Sequence, residues 1–302
     1  MYRSLKTTGE DFTLYVVCFD ELTYQVLVKL ALPGLKAIPL EAFESPQLLA
    51  VKGQRTAGEY CWTCTSHVIQ FVLNNYRLSE VTYLDADLFF YEKPSVLLEK
   101  FAQSDASVMI TPHRYTPRYD KSSTCGIYCV QFMTFKANAC GLAALQWWQD
   151  RCIEWCYARF EDGKFGDQKY LDDWPERFPG IYVLEYIGGG VAPWNIQQYL
   201  LAQRNGKLLV NGLPLVFYHF HAYTHYTDQT HNLGPYRLDR DVVNLIYRPY
   251  VEALADALQE IVSAFPTFNR GQKQKDPVKS WKLWLWRMAC HLRGELNDYK
   301  SL

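Results

Sequence analysis

Two carboxylates one residue apart, Asp85 and Asp87, are the groups in this chain best placed to do chemistry. They follow Val81-Thr82-Tyr83-Leu84, a β-branched and aromatic run that reads as a buried strand. Residues two apart in an extended chain point the same way. Both carboxylates are therefore expected to converge just past the strand's carboxyl end, where ligands of open α/β sheets bind. Two hard oxygen donors there suit Mg²⁺ or Mn²⁺, and such an ion suits a phosphate-bearing substrate. A solvated turn is the plain alternative. His219 and His221 alternate near the end of the apolar run Leu213 to Tyr223. They read as metal ligands or as packed core histidines. Asp167-Gln168 follows the loop Gly163-Lys164-Phe165-Gly166, and a helix N-cap is the plain reading of Asp167.

Composition narrows the classes. The chain has 302 residues, enough for one large α/β domain plus an extension or for two small domains. Hydrophobic residues make up 49%, which is globular rather than disordered. The formal net charge is −1, so no overall field draws nucleic acid, and none is expected as a partner. Nine cysteines lie scattered in apolar segments, and Cys61-x-x-Cys64 lacks a second pair at zinc spacing. They read as reduced packing residues. The N-terminus is polar, and no uncharged run reaches spanning length. A cytoplasmic location is expected.

The elements that must position these residues follow in order. Phe12 to Phe19 reads as a first strand, and a helix through Leu22, Val26 and Leu30 stops at Pro33-Gly34. Leu35 to Leu40 reads as a second strand. Neither a dinucleotide fingerprint nor a P-loop is present. Ser45-Pro46 and Thr56-x-x-Glu59 are helix starts, the second a capping box. Lys52 and Arg55 lie between them, to meet a diphosphate or only solvent. Beyond the Asp85 strand come a helix (Ser95 to Gln103), a strand (Ala106 to Thr111) ending at Pro112-His113-Arg114, and a strand region (Cys125 to Phe135). A helix capped by Asn138 and a strand (Ile181 to Leu184) follow. Gly188-Gly189-Gly190 allows close backbone approach, and Pro193-Trp194-Asn195 comes after it. Residues 10–225 read as one domain and 226–302 as a helical extension, with helices over Leu238 to Phe265 and Pro277 to Arg293. The last carries Trp281, Trp284, Leu285, Met288 and Leu292 on one face among Lys279, Lys282, Arg287 and Arg293. A basic amphipathic helix with tryptophans suits an anionic membrane surface, and packing onto the domain is the alternative.

Asp85-Ala86-Asp87 after its apolar strand resembles the DxD of GT-A fold glycosyltransferases. Asp167-Gln168 after a glycine resembles the Asp-Gln pair of family eight enzymes, which include bacterial lipooligosaccharide galactosyltransferases and glycogenin-like enzymes. His219 resembles their final-strand histidine. The likeness spans residues 10 to 225, and its motifs stand in the expected order. It implies an α/β fold of GT-A type, Rossmann-like, with a mixed sheet flanked by helices. It also implies transfer of a hexosyl group from a nucleotide-diphosphate sugar, with UDP as the expected nucleotide, to a glycan or lipid-linked acceptor in surface polysaccharide assembly. Asp85, Asp87 and a histidine, His219 or His221, would clamp the metal; Asp85 would also face the ribose, and Asp87 and His219 would bind the metal directly. The base would sit near Asp20, with Tyr24 stacking on it. Asp167 and Gln168 would lie at the anomeric carbon, as base or as positioning pair, and Trp194 and Asn195 would shape the acceptor site. The family's His-x-x-Gly-x-x-Lys-Pro-Trp segment is not intact, and its lysine is missing. Lys52, Arg55 or Arg114 would substitute. Two rivals are a sugar-nucleotide binder without turnover and a haloacid-dehalogenase-type phosphatase. The latter wants Thr or Val where Phe89 stands.

Overall fold

The computed structural model describes residues 1–275, 281–294 and 297–300; for 281–284, 286, 287 and 298–300 only the backbone is described. A short helix α1 (Tyr2–Thr7) precedes β1 (Leu14–Cys18), α2 (Glu21–Leu30) and β2 (Leu35–Pro39). Then come α3 (Leu40–Phe43), α4 (Pro46–Lys52), the long α5 (Ala57–Asn75), β3 (Glu80–Leu84) and β4 (Leu88–Phe90). The middle of the chain holds α6 (Ser95–Ala102), β5 (Val108–Pro112), α7 (Ser122–Cys125), β6 (Tyr128–Lys136), α8 (Ala139–Glu154), α9 (Trp174–Arg177) and β7 (Ile181–Val183). Seven strands follow: β8 (Leu201–Arg204), β9 (Lys207–Val210), β10 (Leu213–Pro214), β11 (Phe217–His219), β12 (Thr224–His225), β13 (Thr230–Asn232) and, at the C-terminal end, β14 (Asp298–Lys300). Between β13 and β14 lie α10 (Arg240–Val242), α11 (Arg248–Ala264) and α12 (Trp281–Leu292).

The helix starts expected at Ser45, Thr56 and Asn138 are made by those residues, and Asp20, expected near the base, caps a helix as well. Asp20 accepts from the Thr23 amide, Ser45 from Leu48 and Asn138 from Gly141. Thr56 and Glu59 form the full capping box. Each such cap satisfies an amide left over at a helix start, and losing one costs about 1 kcal/mol.

The architecture is the expected mixed α/β. Its central sheet runs β3-β6-β5-β7, with β6 antiparallel to both neighbours and β7 parallel to β5. Helices α5 and α8 cover one face, burying Trp148, Phe135, Trp174 and Ile69 between helix and sheet. β1 and β2 form a separate parallel pair. No pairing joins β1 to β3 among the described residues, and a deep cleft runs between them.

Three features depart from the sequence reading. Leu88–Phe90 continues the Asp85 segment as a strand of its own, antiparallel to β11 with His219 opposite Leu88. The expected helix over Leu238 to Phe265 forms from Arg240 to Ala264 but is not regular: α10 passes through a wide π turn at Val243–Tyr247 into α11. Pro249, just after the π turn, has no amide to continue the regular helical ladder. The chain beyond residue 225 is also not helical alone. The expected boundary falls within the β12–β13–β14 sheet, and α11 lays Tyr250 flat on Phe220 at 3.7 Å between ring centres. All nine cysteines are unpaired.

Candidate active site

Asp85 stands just past the end of β3, and its amide still donates to the Gln131 carbonyl of β6 at 3.0 Å. Tyr83, two residues earlier on the same face, donates its phenol to Asp85 Oδ1 at 2.9 Å. Asp87 lies in the turn before β4. Its carbonyl accepts from the Phe220 amide at 3.0 Å, which ties the turn to the strand carrying the histidine. The β4–β11 pairing then sets His219 Nε2 3.1 Å from Asp87 Oδ1 and 3.8 Å from Asp85 Oδ2. One ligand atom from each of the three residues lies within 4.8 Å of the others.

Electrostatics follow from that closeness. Burial opposes a charge on His219, but the Asp87 carboxylate and its hydrogen bond outweigh it and hold the imidazolium well above its ordinary range. Asp87 is correspondingly held low: burial works against its charge, and His219 more than offsets it. Asp85 is shifted up, by burial first, while the His219 charge pulls it back. The protonated imidazole thus supplies the positive charge that two neighbouring carboxylates demand. A divalent ion meets the same demand with hard oxygen donors and one imidazole nitrogen, a set that fits Mn²⁺ or Mg²⁺. His219 Nδ1 is buried without a hydrogen-bond partner, so Nε2 is the atom that faces the carboxylates.

The cluster lies in a cleft of about 1190 Å³. One wall is apolar, from β1, α5 and β3, with Val16, Val68 and Val81 among its residues. The other is aromatic, built from Tyr115, Tyr119, Trp194, His221 and Tyr236. Trp194 stands edge-on to both histidines, 5.3 Å from His219 and 5.4 Å from His221. His221 is held neutral, lowered to about 4 by burial and by the His219 charge, with Lys121 adding to the effect.

Asp167 lines the same cleft and is only 5% exposed. It caps no α-helix; the turn after it is a short 3-10 segment, Lys169–Leu171. Its carbonyl accepts from Trp148 Nε1 at 2.8 Å. Gly166 before it sits at φ +53, and a Cβ there would lie 3.3 Å from the Trp62 ring. Burial and then the Asp85 charge push the Asp167 carboxyl up to about 7.

Other residues singled out in the sequence lie elsewhere or are committed elsewhere. Arg55 is not turned to the cluster: its guanidinium donates to the carbonyls of Cys152, Ile153 and Cys156 and stacks on Tyr157, closing the C-terminus of α8. Arg114 is likewise held, donating to the Gly189 and Leu184 carbonyls. Lys52 pairs with Glu44. Asp20 spends both oxygens on Thr23 as an N-cap, and with Tyr24 it lines a separate dent of about 210 Å³. Gln168 lines the cleft but donates its amide to the Cys125 carbonyl at 2.7 Å. Asn195 is fully buried behind the cleft, bonded to Ala192, His113 and Gly190. Sequence reasoning passed over Tyr83 and Lys121. The i, i+2 alternation with Asp85 was the available signal for Tyr83; Lys121 had none.

The fold and cleft define a mixed α/β chain with an Asp-Asp-His cluster whose ligand atoms are close enough to hold a metal ion. Its family is shown by two relatives from Bacillus subtilis (strain 168), each bearing the designation of an uncharacterized protein. It is 34% identical to YfnD over 288 residues, covering 92% of this chain and 91% of YfnD. It is 35% identical to YfnF over 292 residues, covering 92% and 94%. The chain belongs to the family of YfnD and YfnF. No family model matches it. Among solved structures it is similar to a glycosyltransferase involved in the glycosylation of the major capsid of PBCV-1, at TM-score 0.42 and 12% identity over 70% of this chain and 94% of that one. It is also similar to mouse xyloside xylosyltransferase 1 in its apo form, at TM-score 0.40 and 16% identity over 61% and 77%. Likenesses this low assign no activity.

Proposed function

We propose that this protein is a metal-dependent glycosyltransferase of GT-A type that moves a hexosyl group from a nucleotide-diphosphate sugar, UDP being the expected nucleotide, to a hydroxyl of a glycan or lipid-linked acceptor. The observation that carries the reading is the Asp85–Asp87–His219 cluster at a strand end, inside a cleft large enough for donor and acceptor together. In the reaction the bond from the anomeric carbon to the terminal phosphate oxygen breaks, and its electron pair leaves with the diphosphate. The acceptor oxygen forms the new bond and gives up its proton. A bound divalent cation supplies Lewis-acid stabilisation of the departing diphosphate. Asp87 and His219 would hold that cation directly, while Tyr83 orients Asp85 beside them. Asp167, whose carboxyl is pushed up to about 7, would in its ionised form accept the proton, or would steady the cationic sugar carbon while the departing phosphate oxygen takes the proton. The aromatic wall offers flat apolar faces for a sugar ring.

The deciding experiment is a screen of sugar nucleotides for Mn²⁺-dependent hydrolysis, with metal removed by chelator and then restored. The reading requires at least one donor to turn over only with metal. Donor binding with no turnover under any condition would favour the non-catalytic binder instead.

Location is a second part of the proposal. Among the described residues no helix is long and apolar enough to cross a membrane. On α12, Leu285, Met288 and Leu292 are 47%, 44% and 81% exposed, and Cys290 is turned inward. That exposure favours peripheral contact of residues 277–293 with the inner face of a membrane, in a cytoplasmic enzyme serving surface polysaccharide assembly. The expected helix start at Pro277 and Lys279 lies outside the described residues, as do the side chains of Trp281, Lys282, Trp284 and Arg287.

A further inference from the structure

A diphosphate entering this cleft meets a surplus of negative charge. Glu10, Asp11, Glu80, Asp85, Asp87 and Asp167 all line it. One divalent cation bound between Asp85, Asp87 and His219 does little more than balance its own ligands. The departing diphosphate gains charge as the sugar bond breaks, so a further cation is needed where that charge develops. The arginines and lysine that sequence suggested are not available for it. Arg55 and Arg114 are spent on backbone carbonyls, and Lys52 on Glu44.

Among the described residues lining the cleft there is one lysine or arginine, Lys121. It stands at the aromatic wall, where Tyr119 and His221 also line the cleft. Its side chain is exposed, and its ammonium makes no hydrogen bond or ion pair among the described residues. The backbone beneath it is fixed. The Lys121 carbonyl accepts from the Thr124 and Cys125 amides at 3.0 and 2.6 Å, opening the short turn α7. Gln168 donates to the Cys125 carbonyl at 2.7 Å, and Lys169 donates to the Ser122 carbonyl at 2.8 Å. Asp172 accepts from the Ile127 amide at 2.7 Å. Gly126, at φ +108, lets these two segments meet, since a Cβ there would lie 3.1 Å from Asp172 Oδ1. The turn bearing Lys121 is thereby strapped to the segment bearing Asp167. An exposed ammonium on a flexible four-carbon stem, carried by a fixed turn, suits a charge that develops on a departing group.

We propose that Lys121 is the side-chain cation that binds the donor's diphosphate in this cleft, and that Gln168 is a positioning residue that holds the Lys121 turn in place. The proposal rests on the glycosyltransferase reading above. It gives Gln168 a role in the loop that carries the diphosphate contact, in place of one at the anomeric carbon.

The test uses the full chain with UDP, GDP, ADP and CDP, each with Mn²⁺, and reads binding by titration calorimetry. The nucleotide that binds the unsubstituted protein is then carried to four variants. Lys121→Gln is expected to weaken diphosphate binding roughly ten- to hundred-fold while leaving Mn²⁺ binding alone unchanged. Lys121→Arg should recover most of the loss. The matching nucleoside monophosphate should be far less sensitive to the change. Gln168→Ala should weaken the diphosphate in the same direction, less than Lys121→Gln, because the lysine is still present. Asp87→Ala separates the two hypotheses. Normal diphosphate binding by Lys121→Gln together with failure of Asp87→Ala overturns the role of Lys121 and leaves the metal site standing. Normal binding by both variants, or binding of no nucleoside diphosphate by the unsubstituted protein, overturns the glycosyltransferase reading and this inference with it.

Discussion

Three aspartates of the cleft, Asp85, Asp87 and Asp167, stand in three different electrostatic states, and the differences come from neighbours rather than residue type. Asp87 faces His219 and stays ionised, Asp85 is shifted upward, and Asp167 is pushed to about 7. Asp87→Ala removes the carboxylate nearest His219. It is expected to lower Mn²⁺-dependent donor hydrolysis by roughly 10²-fold or more with an unchanged far-UV spectrum. The two histidines separate in the same assay. His219→Ala should raise the Mn²⁺ concentration for half-maximal activity roughly ten-fold or more, whereas His221→Ala should shift it little, since His221 is no member of the cluster. Equal small effects would return both to packed core residues.

Asp167 carries a prediction with two signs. Its carboxyl titrates near 7 in the fold and near its ordinary 3.8 in the unfolded chain. Between about pH 4 and pH 7 the folded protein keeps a proton that the unfolded chain has released, so this residue's contribution to stability falls as pH rises through that window. Asp167→Asn carries no charge at any pH. At pH 8 it should be more stable than the unsubstituted protein by up to about 4 kcal/mol, with the difference shrinking to well under about 1 kcal/mol near pH 4. Urea unfolding of both proteins at the two pH values reads this directly. Transfer by the same variant should fall on the order of 10²-fold, with loss of an activity limb near pH 7. A variant that is neither stabilised at pH 8 nor impaired would show a carboxylate that is solvated and idle.

At the scale of elements, the cluster depends on two strand ends and the segment between Gly188 and Asn195. The pairing of β4 with β11 carries His219 to Asp87, and the His219 amide donates to the Val191 carbonyl at 2.9 Å. Gly190, at φ +87, turns that segment where a Cβ would lie 2.7 Å from Thr111 Cγ2. Asn195 fastens it by accepting from Ala192 and donating to Gly190 and His113, all within 2.9 Å. Asn195→Ala strands the buried Ala192 amide and Gly190 carbonyl, while the His113 carbonyl keeps Trp194 Nε1, and is expected to cost about 2–4 kcal/mol. Its activity should fall through misplacement of Trp194 and His219, seen as a higher metal requirement and a lower denaturation midpoint together. Loss of activity at full stability would instead mark Asn195 as a substrate contact.

At the scale of the whole molecule, the C-terminal segment is a structural tie as well as the proposed membrane-facing surface. Asn297 donates to the Gly234 and Tyr236 carbonyls, and β14 pairs with β13. Deleting residues 277–302 would therefore remove a strand along with the helix, and unfolding would follow whatever α12 does. Point changes on the exposed face avoid this. Leu285→Ser with Leu292→Ser should leave the melting temperature within a few degrees, because both side chains are exposed. The same pair should reduce salt-sensitive sedimentation with anionic liposomes several-fold. Sedimentation unaffected by the changes would remove the membrane from the proposal, and a large drop in melting temperature would make the stripe part of the core.

Local chemistry in the sequence was enough to place most elements. Capping residues, the Pro33-Gly34 stop and the alternation before Asp85 depend on neighbours a few residues apart, and those interactions are the same in any fold. The pairing of Asp85 with Asp87 was legible for that reason, and the late histidines were legible as an alternation without a partner. Tertiary structure decided what distance in sequence hides. It brought His219 to Asp87 across more than a hundred residues, and it set Asp167 in a buried wall where its proton is held. It also turned Arg55 and Arg114 to carbonyls that no local pattern announces, which left Lys121 facing the cleft. A charged side chain's role is set by what lies within a few ångströms of its head group. Those neighbours come from other elements, so only the folded chain assigns them.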